Sequence, residues 1–415
     1  MSIRIITGDC REVLRALEDE SIDSIVTDPP YELGFMGKKW DQSGVAFDPK
    51  TWRQALRVLK PGGHLLAFGG ARTYHRMASA IEDAGFEIRD QIMWIYGSGF
   101  PKNFDVSKAI DKAAGAERSE IVGSYRARDL SKCSNNRFGS VDAEVSSTIV
   151  SSYAPATATA LQWQGWGTAL KPAHEPIVVA RKPLSSTVAA NVLAYGTGAL
   201  NIDACRVAGE SMPPNAGAGG LPRRSEHEQR GGGFVSQPHQ LGRWPANVLH
   251  DGSEDVVSAF PDAPGQMADT SLDASVRKTQ NVYGAMRSGR GPEPSADSAN
   301  EGSVGFKIRP GARRLDEGSA ARFFYCAKAT TAERGEGNTH PTVKPIALMR
   351  WLLRLITPPG GTALDMFAGS GTTGVAAQQE QFDAVLIEED PAYVEIIVRR
   401  LRADSPLLAN IEVAA

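Results

Sequence analysis

The stretch Asp28-Pro29-Pro30-Tyr31 combines an acid, two rigid residues and an aromatic ring directly after an apolar run. The prolines fix the backbone and remove two N–H donors. The Asp28 carboxylate and a neighbouring carbonyl therefore form a pair of acceptors suited to an exocyclic amino group. Tyr31 offers a flat face on which a planar base can stack. The less specific interpretation is a rigid turn without a ligand.

A glycine-rich stretch near the other end of the chain, Phe367 to Gly374, follows an apolar strand pattern and opens a helical one. Glycines there let the backbone approach a ligand closely, and a helix N-terminus presents free N–H groups. No lysine follows the glycines, which excludes a Walker A loop. Glu388 ends the next apolar run, where an acid can hold a ribose diol. Together these features favour an adenosine-containing cofactor, whereas a solvated strand end is the alternative for the acid.

The elements that must position these residues are short apolar runs separated by helical patterns, typical of βα units in a parallel sheet. Ligands bind such sheets at the carboxyl ends of the strands. Helices are predicted at 346–356 and 393–401. Strands are predicted near residues 3–7, 23–28, 64–69, 88–96, 176–181, 362–367 and 383–388.

The composition narrows the class of protein. The chain of 415 residues has 45 basic and 48 acidic side chains and a formal charge of −3, so a nucleic-acid partner would need a local basic surface. It has no apolar run of about 18 residues for a membrane span, and its start lacks a secretory pattern. The 4 cysteines are scattered without metal-ligand spacing. We therefore expect a reduced, cytoplasmic protein without a metal site.

Changes in composition and apolar patterning divide the chain into four parts. Residues 1–110 and 336–415 are compact α/β, which predicts one domain whose sheet is completed by both ends of the chain. Residues 111–204 combine an irregular segment with a returning strand. Residues 205–335 are rich in Gly, Pro and Ser and read as an insertion, of which solvated loops are the plainer interpretation.

The Asp-Pro-Pro-Tyr motif together with Phe-Ala-Gly-Ser-Gly-Thr-Thr at 367–373 resembles the DNA amino-methyltransferases, which transfer a methyl group from S-adenosylmethionine to adenine N6 or cytosine N4. The catalytic motif comes first and the glycines last, as in the beta class. Further matches at 165–176 and 242–247 resemble a subgroup common among phage, prophage and solitary bacterial enzymes. The resemblance implies an α/β, Rossmann-like methyltransferase fold, circularly permuted, with a seven-stranded, mostly parallel sheet, one reversed strand and a target-recognition insertion at 205–335.

The resemblance also implies the site residues. The catalytic set would be Asp28, Pro29, Pro30 and Tyr31. Two more segments, Thr7 to Cys10 and His340 to Pro345, resemble family motifs that contact or close the cofactor pocket. The implied cofactor-binding set is Asp9, Cys10, Asp28, His340, Thr342, Lys344, Asp365, Phe367, Ala368, Gly369, Ser370, Gly371, Thr372, Thr373 and Glu388.

Double-stranded DNA is the implied partner, and its target base must be flipped out of the helix to reach such a pocket. Basic clusters in the insertion and a loop after the catalytic turn are candidate DNA contacts, with ordinary solvated faces as the alternative. The candidates are Lys38, Lys39, Trp40, Arg277, Lys278, Arg287, Arg290, Lys307, Arg309, Arg313 and Arg314. Trp163, Trp166 and Trp244 are predicted to be packing anchors rather than base stackers.

Adenine N6 is the favoured target, because Asp at the first motif position leans toward adenine in this family and Ser toward cytosine; cytosine N4 is the alternative. Methylation at cytosine carbon 5 would need a cysteine nucleophile, and none of the 4 cysteines follows a proline. The product would be S-adenosylhomocysteine, and no metal is needed. RNA or protein-glutamine amino-methyltransferases are a further alternative, because they can use a related catalytic turn. They usually place the glycine motif before the catalytic one, so the order in this chain argues against them.

The remaining expectations concern partners. A catalytically idle DNA-binding protein with the same fold is the alternative from another class. Beta-class enzymes often pair, and a symmetric homodimer suits a palindromic DNA site. The chain is expected either to act alone or to be the modification partner of a separate restriction endonuclease.

Overall fold

The computed structural model describes residues 1–34, 39–99, 103–128, 147–209, 242–262, 318–327, 333, 335, 337–405 and 410–414. These residues divide into two compact units. The first comprises Met1–Asn201, Asn247–Val256 and Cys326–Ala415, and the second comprises Ile202–Ala246 and Val257–Tyr325.

Twelve strands lie in the described part of the chain: β1 (Ser2–Thr7), β2 (Ile22–Thr27), β3 (Leu59–Phe68), β4 (Glu87–Ile95), β5 (Ile121–Arg128), β6 (Ser147–Tyr153), β7 (His174–Arg181), β8 (Val248–His250), β9 (Tyr325–Cys326), β10 (Thr362–Asp365), β11 (Asp383–Glu388) and β12 (Asn410–Ala414). The helices there are α1 (Cys10–Ala16), α2 (Pro49–Val58), α3 (Tyr74–Asp83), α4 (Val106–Ala113), α5 (Ala158–Gln162), α6 (Val188–Tyr195), α7 (Glu254–Val257), α8 (Ile346–Ile356), α9 (Thr372–Glu380) and α10 (Pro391–Asp404).

Ten of these strands form one sheet in the order β12-β1-β11-β10-β2-β3-β7-β4-β8-β9, and β5 pairs with β6 separately. Strands β12, β1, β11, β10, β2 and β3 pair in parallel. Strand β7 runs antiparallel to both of its neighbours, β3 and β4. The sheet therefore joins both ends of the chain and has the reversed strand that the resemblance implies. The expectation of seven strands was too low, since the short strands β8, β9 and β12 extend both edges.

The centre of this sheet is covered on both faces. Every residue of β2 is buried, which requires side chains on either side of the strand to be packed. Helices α1, α2 and α3 contact one another in sequence, and α8, α9 and α10 form a second such group. Trp52 of α2 and Trp351 of α8 are among the largest fully buried side chains. These two helix layers hold the strand ends, and so the loops that follow them, in fixed positions.

Helix α8 follows from an apolar pattern that the sequence shows directly, and it spans the predicted residues 346–356. Helix α10 begins with Pro391, whose fixed φ suits a first helical turn, and Asp390 caps it by accepting a hydrogen bond from the backbone N–H of Ala392. Among the residues that the structure describes, no helix is long and apolar enough to cross a membrane.

Candidate active site

The carboxyl ends of β1, β11, β10 and β2 meet at one edge of the sheet and border a cleft of about 480 Å³. That volume suits a small-molecule ligand. Fifteen of the sequence-predicted residues line it: Asp9, Cys10, Asp28, Pro30, His340, Thr342, Lys344, Asp365, Phe367, Ala368, Gly369, Ser370, Thr372, Thr373 and Glu388. Residues from the two ends of the chain therefore form one site.

The lining also includes residues outside the predicted set of site residues: Gly8, Arg11, Ser43, Val45, Met349, Met366, Ile387, Glu389, Asp390 and Tyr393. Most are neighbours of predicted residues, so motif boundaries were the available signal. Ser43 and Val45 carry no such signal, because they follow the catalytic turn by more than ten residues. The predicted residue Gly371 instead caps α9, with a φ of 78°.

The turn after β10 requires glycine at position 369. Gly369 has a φ of 53°, in the left-handed region, and a Cβ there would lie 3.0 Å from His340 Nε2. His340 is fixed in turn, with Nδ1 2.5 Å from the Thr342 carbonyl oxygen and its ring edge-on to Tyr393 at 4.6 Å. The segment 340–344 therefore lies against the glycine turn that follows β10.

Glu388 ends β11 beside this turn. Its Oε2 accepts a hydrogen bond from the Gly369 N–H at 2.7 Å, and its Oε1 accepts one from the Asp390 N–H at 3.0 Å. Burial raises the pKa of Glu388 to about 7, against the lowering effect of these two hydrogen bonds. The acid is thus held in place by the backbone and changes charge near neutral pH.

Asp365, at the end of β10, ties three segments together. Its two carboxylate oxygens accept hydrogen bonds from Thr373 Oγ1 at 2.5 Å, Thr27 Oγ1 at 2.7 Å and the Phe367 N–H at 3.1 Å. Burial raises the pKa of Asp365 to about 6, opposed by these hydrogen bonds. The donors come from the residue before Asp28 and from the first turn of α9, so this carboxylate fixes the catalytic turn relative to the glycine turn.

Arg400 of α10 donates hydrogen bonds to the glycine turn that follows β10. Its Nη1 donates to the Ser370 carbonyl oxygen at 2.6 Å and to Thr372 Oγ1 at 3.1 Å, and its Nη2 donates to the Glu333 carbonyl oxygen at 2.9 Å. The side chain is buried. A charged residue in an amphipathic helix ordinarily faces solvent, so no sequence pattern indicated this contact.

Asp9 and Cys10 begin α1 after β1. Asp9 accepts hydrogen bonds from Arg11, including one from Nη2 at 2.5 Å, and these lower the pKa of Asp9 despite partial burial. Burial, followed by the charge of Asp9, raises the pKa of the Cys10 thiol to about 12. Cys10 is therefore a protonated thiol at neutral pH and a poor nucleophile, consistent with an inert small residue beside the cleft.

The catalytic turn follows β2, and its acid has two inequivalent oxygens. Asp28 Oδ2 accepts a hydrogen bond from Lys344 Nζ at 2.5 Å. Asp28 Oδ1 is buried and has no hydrogen-bond partner among the described residues. A buried acceptor left unpaired costs about 1–3 kcal/mol, and such atoms call for an explanation, of which a functional role is one.

Tyr31 is held at both its backbone and its hydroxyl. Its carbonyl oxygen accepts a hydrogen bond from Thr73 Oγ1 at 2.8 Å. Its hydroxyl donates to Glu175 Oε2 at 3.1 Å and lies 3.2 Å from Lys344 Nζ. Burial, followed by the charges of Asp28 and Glu175, raises the pKa of Tyr31 well above its ordinary value. Sequence reasoning missed Glu175, although it lies in a segment (165–176) whose resemblance was noted.

The candidate DNA contacts fall mostly outside the described residues: Lys38, Arg277, Lys278, Arg287, Arg290, Lys307, Arg309, Arg313 and Arg314. Lys39 and Trp40 begin a short 3₁₀ turn, Lys39–Gln42. Contact of these residues with DNA stays a prediction.

The three tryptophans predicted as packing anchors are substantially exposed, so that prediction was wrong. Trp166 is 59% exposed and packs edge-on against Trp163, and Trp244 is 65% exposed beneath the guanidinium of Arg206. Trp166 lies between two glycines and Trp244 precedes a proline, so neither belongs to the periodic pattern that marks a buried face, and that absence was a usable signal.

Comparison with known proteins identifies the family. The family model described as DNA methylase matches residues 22–399. The type II methyltransferase M.HpaI of Haemophilus parainfluenzae is 32% identical over 108 residues, which cover 25% of this chain and 34% of that protein. M.Cfr9I of Citrobacter freundii is 41% identical over 75 residues, 18% of this chain and 25% of that protein. The chain thus spans about a third or less of the length of these two relatives.

Among solved structures, that of TTHA0409 from Thermus thermophilus, complexed with S-adenosyl-L-methionine, aligns over 100% of both chains at 15% identity and a TM-score of 0.39. The family match begins at β2, ends within α10 and so includes both the Asp-Pro-Pro-Tyr motif and the glycine-rich motif. The chain belongs to the DNA methylase family whose members include N6 and N4 amino-methyltransferases.

Proposed function

We propose that this protein is a site-specific DNA methyltransferase that transfers a methyl group from S-adenosylmethionine to the exocyclic N6 of a flipped adenine in double-stranded DNA. The observation that carries the proposal is the buried, unpartnered Oδ1 of Asp28, a residue that lines the cleft, in a chain of the DNA methylase family. The exocyclic amino group of a base would supply the hydrogen-bond donor that this acceptor lacks.

The residues around the cleft suit the adenosine part of the cofactor. Glu388 offers a carboxylate for the ribose hydroxyls at the end of β11, and Gly369 lets the backbone come close. His340 and Tyr393 form an aromatic wall over the glycine turn. When bound, S-adenosylmethionine supplies a methyl group that is already activated on a sulfonium, so no metal is required. In the described ranges, no three His, Cys, Asp or Glu side chains converge on a metal position.

The catalytic turn acts on the acceptor amine. The amine's lone pair is delocalised into the base, which makes it a poor nucleophile. A hydrogen bond from the amine to Asp28 Oδ1, and a second to the Pro29 carbonyl, would draw the nitrogen toward tetrahedral geometry and stabilise the positive charge that develops on it. Alignment of the two reactants supplies much of the remaining acceleration. The proton can leave after methylation, so Asp28 need not be a strong base.

Adenine N6 is proposed over cytosine N4 because the first motif residue is Asp28 rather than serine. Cytosine N4 is the second candidate, since its amino group would meet the same pair of acceptors. Methylation at cytosine carbon 5 is disfavoured by the raised pKa of Cys10, the cysteine that lines the cleft.

The test is methyl transfer in vitro from tritiated S-adenosylmethionine to DNA prepared from a host without DNA methylation. Digestion to nucleosides and mass spectrometry then identify the modified base. We expect N6-methyladenine from the wild-type protein and none from Asp28→Asn, with cofactor binding retained in the variant. N4-methylcytosine would reverse the choice of base. If the protein binds the cofactor but the DNA contains no methylated base, the proposal is refuted.

A further inference from the structure

The two oxygens of Asp28 have different surroundings, and one side chain is responsible. Lys344 Nζ binds Oδ2 at 2.5 Å, while Oδ1 is left buried and without a partner among the described residues. A carboxylate that rotates freely exchanges its two oxygens. An ion pair at one oxygen therefore decides which oxygen is presented to a substrate.

Lys344 is itself held from several sides. Its Nζ lies 3.4 Å from Glu175 Oε2, 3.2 Å from the Tyr31 hydroxyl and 4.8 Å from the centre of the Phe68 ring. Its side chain is only 10% exposed. Burial disfavours the charged form, but Asp28 and Glu175 outweigh it and raise the pKa of Lys344, so the ammonium stays charged. A lysine side chain is flexible in water, whereas these contacts define one position for this ammonium.

Glu175 reaches this site because β7 is reversed. The register pairs Phe68, the last residue of β3, with Ile177 near the start of β7. The beginning of β7 therefore shares the sheet edge with the carboxyl ends of β2 and β3, and Glu175 lies two residues beyond that pair. A parallel strand in this place would present its carboxyl end instead. The reversed strand thus supplies an acid to the catalytic edge.

We propose that Lys344 and Glu175 are positioning residues, in which Glu175 fixes Lys344 and Lys344 holds Asp28 Oδ2 so that Oδ1 faces the target amine. We call the ordered set Glu175–Lys344–Asp28 the carboxylate brace. The inference rests on the proposed function, because it assigns the free oxygen to a nucleic-acid amine. It also gives Lys344 a role on the catalytic acid rather than on the cofactor alone.

The test is a double-variant cycle on single-turnover methyl transfer, with tritiated S-adenosylmethionine and unmethylated DNA at saturating concentrations. Lys344→Met removes the ammonium and is expected to slow the step about 100-fold, the cost of a small misplacement of a reacting group. Glu175→Met is expected to slow it about tenfold, as for other supporting residues. The double variant should match Lys344→Met within about threefold, because Glu175 acts through Lys344. Glu175→Gln, which keeps an acceptor oxygen, should recover part of the loss.

The matched control is Glu87→Gln. Glu87, the first residue of β4, forms an ion pair at 2.6 Å with Arg181, the last residue of β7. The variant therefore measures the cost of losing an ion pair at the end of β7 that is remote from Glu175. Its single-turnover rate should equal that of the wild type. Cofactor affinity of Glu175→Met, measured by calorimetry, should stay within about twofold, since Glu175 does not line the cofactor cleft. Multiplicative losses in the double variant, or an unchanged rate in Glu175→Met, would overturn the brace.

A crystal structure of Glu175→Met tests the brace without activity. The brace predicts that Lys344 Nζ moves away from Asp28 Oδ2 and that the carboxylate rotates. An Asp28 side chain in its original pose would overturn the inference, whatever the enzyme does. If the wild-type protein transfers no methyl group to DNA, the proposed function fails. The crystal structure of Glu175→Met still shows whether Glu175 and Lys344 fix the orientation of the Asp28 carboxylate.

Discussion

The Glu388 carboxylate accepts a hydrogen bond from the backbone N–H of Gly369 at 2.7 Å, so the acid that ends β11 and the glycine turn after β10 form one continuous surface. The two features are 19 residues apart in sequence. The acid is buried in this position, and burial raises the pKa of Glu388 to about 7 against the lowering effect of the hydrogen bond from Gly369. A residue proposed to bind the ribose therefore changes charge in the range in which the protein would be assayed.

Cofactor affinity should depend on pH through Glu388. In the proposed complex the ionised carboxylate would accept hydrogen bonds from both ribose hydroxyls, whereas the protonated acid would not. With a pKa near 7, the ionised fraction falls about tenfold between pH 8 and pH 6, and the affinity for S-adenosylmethionine should fall by the same factor. Isothermal titration calorimetry across this range measures the change.

The variant Glu388→Gln provides the control for this pH dependence. It should bind the cofactor about 10–100-fold more weakly at pH 8, because it loses charge-assisted hydrogen bonds, and its affinity should vary less with pH than that of the wild type, since Asp365 of the cleft, with a pKa of about 6, would still titrate near this range. A wild-type affinity that is flat between pH 6 and pH 8 would exclude Glu388 as the titrating group.

The stability of the protein without cofactor should show the opposite trend. Since the pKa of Glu388 is raised from 4.5 to about 7, the folded protein binds more protons at this site than the unfolded chain between these pH values. Its contribution to the free energy of unfolding therefore falls as pH rises through this window, by about 3 kcal/mol at most. Urea denaturation of the wild type and Glu388→Gln at several pH values measures this slope, together with the smaller part that comes from the interaction of Glu388 with Asp365. Parallel pH profiles for the two proteins would contradict the assignment.

Gly371 should be irreplaceable for packing as well as for its backbone conformation. It has a φ of 78°, and a Cβ would lie 2.8 Å from Ile397 of α10, which is fully buried. Gly371→Ala should lower the free energy of unfolding by about 2–4 kcal/mol, the sum of a positive-φ cost and overpacking. Chemical denaturation measures it.

Gly360→Ala separates these two costs. Gly360 has a similar φ of 70°, but an added Cβ there meets open space among the described residues. This variant should lose only about 1 kcal/mol. Equal losses in the two variants would mean that contact with Ile397 contributes nothing.

Tyr31 should contribute mainly through its ring. Tyr31→Phe removes the hydroxyl contacts to Glu175 and Lys344 but keeps a face for the flipped base. We expect Tyr31→Phe to retain kcat/KM within about tenfold of the wild type and Tyr31→Ala to lose a further 10–100-fold, the value of one base–aromatic stack. Steady-state kinetics on unmethylated DNA decide the point, and equal losses in both variants would contradict a stacking role.

The strands that carry the site were predictable because each is a short apolar run bounded by turn residues. Six of the seven predicted strands agree with the structure within about two residues at their ends, while β3 begins five residues before the predicted run, at Leu59. The short edge strand β12 was not predicted, since Asn410–Ala414 is largely exposed and its alternation of Ile411 and Val413 with polar residues is only five residues long. Edge strands of this kind are fixed by pairing with a neighbour, here β1, rather than by their own sequence.

The glycine turn, its acid and the catalytic turn were predictable because each is a local motif. The pairing of Lys344 with Asp28 was not, since 316 residues separate them and the lysine motif indicated only the cofactor pocket. The contact of Arg400 with the glycine turn was not predictable either, because Arg400 lies in an amphipathic helix whose charged residues ordinarily face solvent. Such contacts depend on tertiary structure, which places side chains from distant segments at one sheet edge.

The most direct test of the central claim is to express the protein in a host that lacks DNA methylation and to map modified bases across the genome at single-base resolution, beside an Asp28→Ala variant. We predict N6-methyladenine in one short sequence motif for the wild type and none for the variant, with both proteins folded and binding S-adenosylmethionine. An unmodified genome in cells that contain folded, cofactor-binding wild-type protein would contradict DNA methylation as the function.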